Sequence, residues 1–443
     1  MIKRRGWLAA CLLLLGVFVW IAPCAAYASL DKGTIQQLID EAKPGDTVTI
    51  APGEYRGAIT IDKSVTLVGE PGTVIVNDAA QPAVTITADG VSVSGITVEQ
   101  RSMEESTAIE LVASNTMLSN LDIHTHAFGI RLRKSNRNEI ADNSIQWLGE
   151  MSGQEVKMSA KRNGIDLYDS HDNVISGNRI SSMNDGIYQE SSHRNQVIGN
   201  RIDHSRYGIH CMYTEGTIVR GNAGNYNVTG AMVMGVTDAI VEDNSFTKQS
   251  ENVNSQGLLL FDVHTSTIAN NRVEGNRIGF YVEQSSKNDI RNNSIERNFV
   301  GIQFLESEGN ELQANDFIAN VINAEATDSP DNRLTANFWD NFSGIDADGN
   351  GRSDISYAIN PFFQQLTHQT PAFQLFFQSP GMQFLETMMQ SDRSSWTVDI
   401  EPLMMPAGQQ AMAGKHNSYT FWVSLCLLLI STIIIYNTGV KRT

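Results

Sequence analysis

The chain of 443 residues has four cysteines, and three of them (Cys11, Cys24 and Cys426) lie in apolar terminal segments. Cys211 is therefore alone in the body of the chain, which excludes an internal disulfide framework. Basic residues are scarce, 32 against 49 acidic ones, and five of the 32 (Lys3, Arg4, Arg5, Lys441 and Arg442) sit in the terminal segments. So acidic a body excludes nucleic acid as a partner. There is no phosphate loop, zinc-protease helix or nucleophile elbow. The leucine framework and helical segment of a leucine-rich repeat are also missing.

Long apolar runs occur at the two ends. Residues 1–28 pass from Lys3-Arg4-Arg5 through an apolar stretch to Ala26-Tyr27-Ala28, the pattern of a secretory signal cut after Ala28. Pro23 stands where a lipoprotein signal wants a small, flexible residue, which disfavours lipidation of Cys24. Residues 417–438 centre on FWVSLCLLLISTIIIY and approach the roughly 20 residues of a membrane-spanning helix. Lys441 and Arg442 beyond it predict a cytoplasmic C-terminus, so the body is expected outside the cytoplasm, anchored by a C-terminal transmembrane helix.

Between these segments the sequence repeats. Glycine recurs every 22 residues at Gly164, Gly186, Gly208 and Gly230, and again at Gly257, Gly279 and Gly301. The wider intervals, Gly129 to Gly164 and Gly230 to Gly257, predict inserted loops. Fourteen residues after each start comes Asn143, Asn178, Asn200, Asn222, Asn244, Asn271, Asn293, Asn315 or Asn337. Three short alternating segments per unit, broken by Asn and Gly, read as three strands and three corners. A unit so small cannot bury its own apolar face and must stack on copies of itself. The expected fold is all-β: a right-handed parallel β-helix over residues 47–340, with an asparagine ladder along one corner and the asparagines in left-handed backbone. Residues 29–46, with Ile35, Leu38, Ile39 and Ala42 at helical spacing, are expected to form an N-terminal capping helix.

Alternation sorts the strand after each glycine. Positions one and three are mostly apolar and face inward, which puts Cys211 in the core row with Leu167, Val233 and Leu260. Positions two and four face outward. There the middle of the stack is soft: His210 lies beside Met232 of the next coil, and Met212 beside Met234. One imidazole and three thioethers suit copper, Cu(I) above all. The competing reading is a hydrophobic docking stripe continued by Tyr188, Leu259, Phe261 and Tyr281. Residues beyond 360 could fold back over it. Arg131, Arg133, Asp166, Glu190 and Glu283 lie toward the ends of the same rows.

Residues 341–416 form an acidic loop and an arm. Asp346, Asp348, Asn350, Gly351 and Asp354 match positions 1, 3, 5, 6 and 9 of a calcium loop, although Tyr357 stands where its bidentate carboxylate belongs. A structural calcium and a plain Asp/Gly turn are both open. Met388-Met389, Met404-Met405, Met412 and His416 give the arm soft ligands whose commoner use is packing. His124 and His126, at i and i+2, are expected on one strand face.

The 22-residue coils, YGIHCMY followed by GAMVMG, NFWDNFSGIDADGNGRSD and IEPLMMP occur in an order that resembles the NosD family of periplasmic β-helix proteins. The resemblance covers about residues 30 to 406. It implies a non-enzymatic copper-relay role in maturing the copper centre of nitrous oxide reductase. The partners it implies are an ABC transporter permease, the apo reductase and a copper-donating chaperone. It places copper at His210, Met212, Met232 and Met234. Cys211, where the family often has an aromatic, and the C-terminal anchor depart from the pattern. The alternative is a β-helix protein that binds polysaccharide or modifies it as a lyase or epimerase, since outward tyrosines can stack on sugar rings.

Overall fold

A computed structural model of the chain describes residues 29–31, 33–104, 106–149, 156–249, 252, 254–359, the single positions 366, 370, 373, 381 and 385, and then 397–407 and 418–439. The expected signal segment, Met388-Met389, Met412, His416 and Lys441-Arg442 lie outside these residues. Among the described residues the strands form three sheets of 14, 12 and 15 strands, parallel within the stack. Each coil gives one strand to each sheet, as Arg201–Asp203, Tyr207–Met212 and Ile218–Arg220 do. Both expected inserts fall between strands, after Ser144–Trp147 and after Ser245–Thr247.

The core is the inward row of each strand, with Ile209, Cys211, Val233, Leu258 and Leu260 fully buried. The 22-residue glycine period follows from coil spacing. A Cβ on Gly164 would lie 2.6 Å from the carbonyl oxygen of Gly186, and one on Gly186 equally close to that of Gly208.

The asparagine ladder runs unbroken from Asn143 to Asn337. The backbone N–H and Nδ2 of Asn200 both donate to Oδ1 of Asn222, at 2.8 and 3.0 Å, and Asn222 Nδ2 donates to the Val197 carbonyl at 2.9 Å. One expectation is corrected: the ladder asparagines are not the left-handed residues. That conformation falls one position earlier, at Asp142, Gly177, Gly199, Gly221 and their equivalents. The neighbour turns the chain, which frees the asparagine side chain to bond along the stack. Shorter ladders, unforeseen, join Asn138 to Asn173 and Asn195, and Asn276 to Asn298 and Asn320.

Both ends are capped. The helix Gly33–Glu41 buries Ile35 and Ile39 over the first coils. Gln36 there accepts from the Thr60 N–H and donates to the Thr60 carbonyl, as a neighbouring strand would. It is shorter than the expected 29–46, because Ser29–Asp31 is a strand paired with Gly53–Arg56. At the other end Asp399 terminates the ladder, accepting from Asn337 N–H, Asn337 Nδ2 and Trp339 Nε1, each at 3.0 Å. Phe317, Trp339 and Tyr357 stack behind it. The described part of the arm, 397–407, thus lies against the last coil: Val398–Asp399 pairs beside Arg333–Thr335, and Leu403 bridges to Phe338. Ser418–Gly439 is a helix that exposes Trp422, Val423, Leu427 and Leu428. Among the described residues no helix is long and apolar enough to cross a membrane, so the expected anchor is not supported at this level.

Candidate metal-binding face

The 12-stranded sheet brings the soft residues together in the register expected. His210 pairs with Met232 and Met212 with Met234 on adjacent strands. Met232 continues to Leu259 and Tyr281, and Met234 to Phe261 and Glu283. Met212, Met232, Met234, Leu259, Phe261 and Tyr281 are half-buried, their side chains on the outer side of the sheet. Tyr213 flanks them at the strand end, its ring against Gly235, where a Cβ would lie 2.6 Å from it.

The expected exposure of His210 is corrected. It is 6 % exposed, because its ring lies between two tyrosines and is tied to a carboxylate. Tyr188 and Tyr207 meet it edge-on at centroid distances of 5.0 and 4.9 Å. Nδ1 lies 2.9 Å from Oδ2 of Asp185, whereas Nε2 is buried without a hydrogen-bond partner. Burial alone would raise the Asp185 carboxyl, but hydrogen bonds from His210 and Arg206 and their charges outweigh it and hold it below the ordinary range. Tyr188 is held well above the usual tyrosine range by burial and by its hydrogen bond to Glu190, so it acts as a neutral wall of the site.

Sequence reasoning missed Asp185, Arg206 and Tyr207. The available signal was position: Asn163, Asp185, Tyr207, Thr229 and Gln256 each precede a repeat glycine, and each is polar or aromatic where later coils have Ile278 and Val300. Cys211 lies where the alternation put it, fully buried, and burial pushes its thiol up to about 12. Gln189 donates to its sulfur from the preceding coil at 3.4 Å. Burial likewise pushes Tyr281 up to about 12 and Glu325, farther along the same row, up to about 7.

The charged end of the face is closed on itself. Arg131 pairs with Glu110 and Arg133 with Asp166, both at 2.6 Å, and Asp166, in the outward row as expected, is buried by these contacts. Asn163 donates a further bond to it at 2.7 Å. The acidic loop is a turn whose carboxylates face backbone amides. Asp346 accepts from Gly349, Asn350 and Gly351, and these bonds, the Gly351 one foremost, hold it below the ordinary carboxylate range. Asp348 accepts from Asn350, and Asp354 from Ala347. His124 and His126 do not form a pair. His124 bonds Asp122 and Gln146 on the surface, whereas His126, past the strand end, is buried against Trp147.

Among the described residues no group of three or more His, Cys, Asp or Glu side chains is placed to hold a metal ion. A metal on this face would therefore depend on thioethers beside a single imidazole, a donor set suited to a soft ion. Among the described residues, Nε2 of His210 is a buried imidazole nitrogen without a hydrogen-bond partner, which such an ion would satisfy.

Residues 56–223 match a family model described as a right handed beta helix region, which agrees with the expected hand of the solenoid. Among solved structures, the chain is similar to a family 28 exopolygalacturonase from Yersinia enterocolitica, at a TM-score of 0.55 and 11% identity over 70% of this chain and 77% of that one. It is also similar to a mannuronic acid specific polysaccharide family 6 lyase from human gut microbiota, at 0.52 and 12% over 82% and 97%. At such identities the likeness concerns the fold. The "Probable ABC transporter binding protein NosD" of Pseudomonas aeruginosa is 29% identical over 138 residues, which spans 30% of this chain and 31% of that protein. Residues 148–345, the stretch holding His210, Met212, Met232 and Met234, match the family described as "Periplasmic copper-binding protein (NosD)", and the family resemblance read from the sequence is borne out there.

Proposed function

We propose that the face built by His210, Met212, Met232 and Met234 binds Cu(I) as cargo and relays it, outside the cytoplasm, toward the copper centre of nitrous oxide reductase. The observation that carries this is the buried, unpartnered Nε2 of His210 on the strand paired with Met232. A buried polar atom without a partner is costly unless something else uses it. The match to a copper-binding family over the same coils supports the reading. The name of the Pseudomonas relative supports an ABC transporter as the membrane partner. The apo reductase and a copper-donating chaperone complete the proposed partners. A membrane anchor in the C-terminal apolar segment, residues 417–438, completes the proposal and rests on the sequence alone.

The protein is proposed to be non-enzymatic. Lyases and epimerases need free cations beside a base to steady an acidic sugar. On this face Arg131 and Arg133 are already tied to Glu110 and Asp166. Incubation with a panel of acidic polysaccharides is expected to give no ultraviolet-absorbing unsaturated product; such a product would favour the lyase reading.

The copper reading is tested by X-ray absorption on the Cu(I)-loaded full chain. A first shell of mixed imidazole nitrogen and sulfur is expected, and unchanged when Cys211 is replaced by Ser. A shell of oxygen and nitrogen alone would contradict the site.

A further inference from the structure

We infer that Asp185 is the positioning residue of this face: it fixes His210 as the tautomer with hydrogen on Nδ1, so that the lone pair sits on Nε2 and is free for a soft metal ion. The inference rests on the proposed function only for the identity of that ion. An ionised carboxylate can only accept, so the 2.9 Å contact between Asp185 Oδ2 and His210 Nδ1 requires a proton on Nδ1. Arg206 fixes the carboxylate in turn, donating from Nε to Oδ1 at 2.9 Å and from Nη2 to Oδ2 at 2.8 Å. Its guanidinium rests 4.4 Å from the centre of the Tyr207 ring, which itself walls His210. The Asp185 side chain is 1 % exposed and so is shielded from bulk water.

Turning the imidazole over would remove the bond to Asp185 and place a ring carbon against a buried carboxylate. Tyr188 and Tyr207 hold the ring from two sides against that motion. A neutral imidazole in this tautomer binds a metal without giving up a proton, and a carboxylate behind the other nitrogen raises the basicity of the ligating one. The positioning spans coils: Asp185 belongs to the strand Asp185–Glu190, His210 to Tyr207–Met212 and Met232 to Thr229–Thr237.

The test begins with the metal-free full chain labelled with ¹⁵N-histidine, the His210 signals being assigned by their loss in His210→Gln. Long-range ¹H–¹⁵N spectra are expected to show His210 with Nδ1 protonated and Nε2 bare. Asp185→Ala is expected to give mixed tautomers, with far-ultraviolet circular dichroism unchanged and Cu(I) affinity lowered about 10- to 100-fold. Asp185→Glu is expected to recover part of both. Should Asp185→Ala fail to fold, the wild-type tautomer alone decides, and Nε2 protonated in the wild type overturns the inference. So does an Asp185→Ala chain that keeps both tautomer and affinity. If the tautomer depends on Asp185 but the wild type binds no Cu(I), the positioning stands and the copper reading fails.

Discussion

The asparagine corner and the outward face of the 12-stranded sheet share one 22-residue period and use it in opposite ways. At the corner the same residue returns in every coil from Asn143 to Asn337, each bonded to the next and to a carbonyl of the preceding coil. On the face the row reads Arg131, Asp166, Tyr188, His210, Met232, Leu259 and Tyr281, with no two neighbours alike. Sameness along the stack marks the side chains that hold the coils together. Variation within the same register marks where the scaffold carries something else.

The largest effect is expected from breaking the repetitive side. Asn222→Ala would remove four buried hydrogen bonds, to Asn200 N–H, Asn200 Nδ2, the Val197 carbonyl and Asn244 Oδ1, and Asn244 Oδ1 would keep only the N–H of residue 222. At about 0.5–1.5 kcal/mol for each of these four hydrogen bonds, a loss of about 3–5 kcal/mol is expected, read as a lowered urea midpoint of the full chain. A loss within the scatter of surface substitutions would show that the ladder is incidental. Asp399→Ala comes next, at about 2–4 kcal/mol, because three donors lose one acceptor. Hydrogen exchange should locate that loss in the last coils, around Phe317 and Trp339, and leave Tyr207–Met212 protected; uniform deprotection would mean that the cap governs the whole stack.

Cys211→Ser separates the two sides of one strand. Serine keeps an acceptor for Gln189 Nε2 and offers a donor to Gln189 Oε1, which is buried without a partner. Stability is expected to change by less than about 1 kcal/mol and Cu(I) affinity to stay within about twofold. A larger drop in affinity would move the site to the inner side. The smallest effect concerns Asp346, whose carboxyl is held low by the Gly351, Gly349 and Asn350 amides. A depressed carboxyl contributes order that is complete above the ordinary value of about 4 and is lost only as pH falls through its lowered value. The amide signals of Gly349, Asn350 and Gly351 should therefore hold their positions from pH 7 through pH 4 and move only below. Movement centred at or above pH 4 would contradict those hydrogen bonds.

The coils, the ladder positions, the inward place of Cys211 and the pairing of His210 with Met232 were legible because each depends on period alone. What period does not carry was not legible. The burial of His210 depends on Asp185, 25 residues earlier and on another coil, drawing the ring aside. The end of the ladder depends on Asp399, 62 residues beyond Asn337 and outside the repeat. The left-handed corner residues are Asp, Gly, Asn and Ala in turn, too varied to stand out beside nine asparagines. For His210 and for the ladder's end, the deciding contact joins residues that no local pattern links.

The central claim, that two stacked coils make one Cu(I) site, is tested most directly by competition titration against a chromophoric Cu(I) chelator under reducing, anaerobic conditions. Wild-type full chain should take up one Cu(I) on this face, and His210→Gln combined with Met232→Leu should weaken it at least tenfold, about 1.4 kcal/mol or more. Equal affinity in the wild type and the double variant would contradict the site.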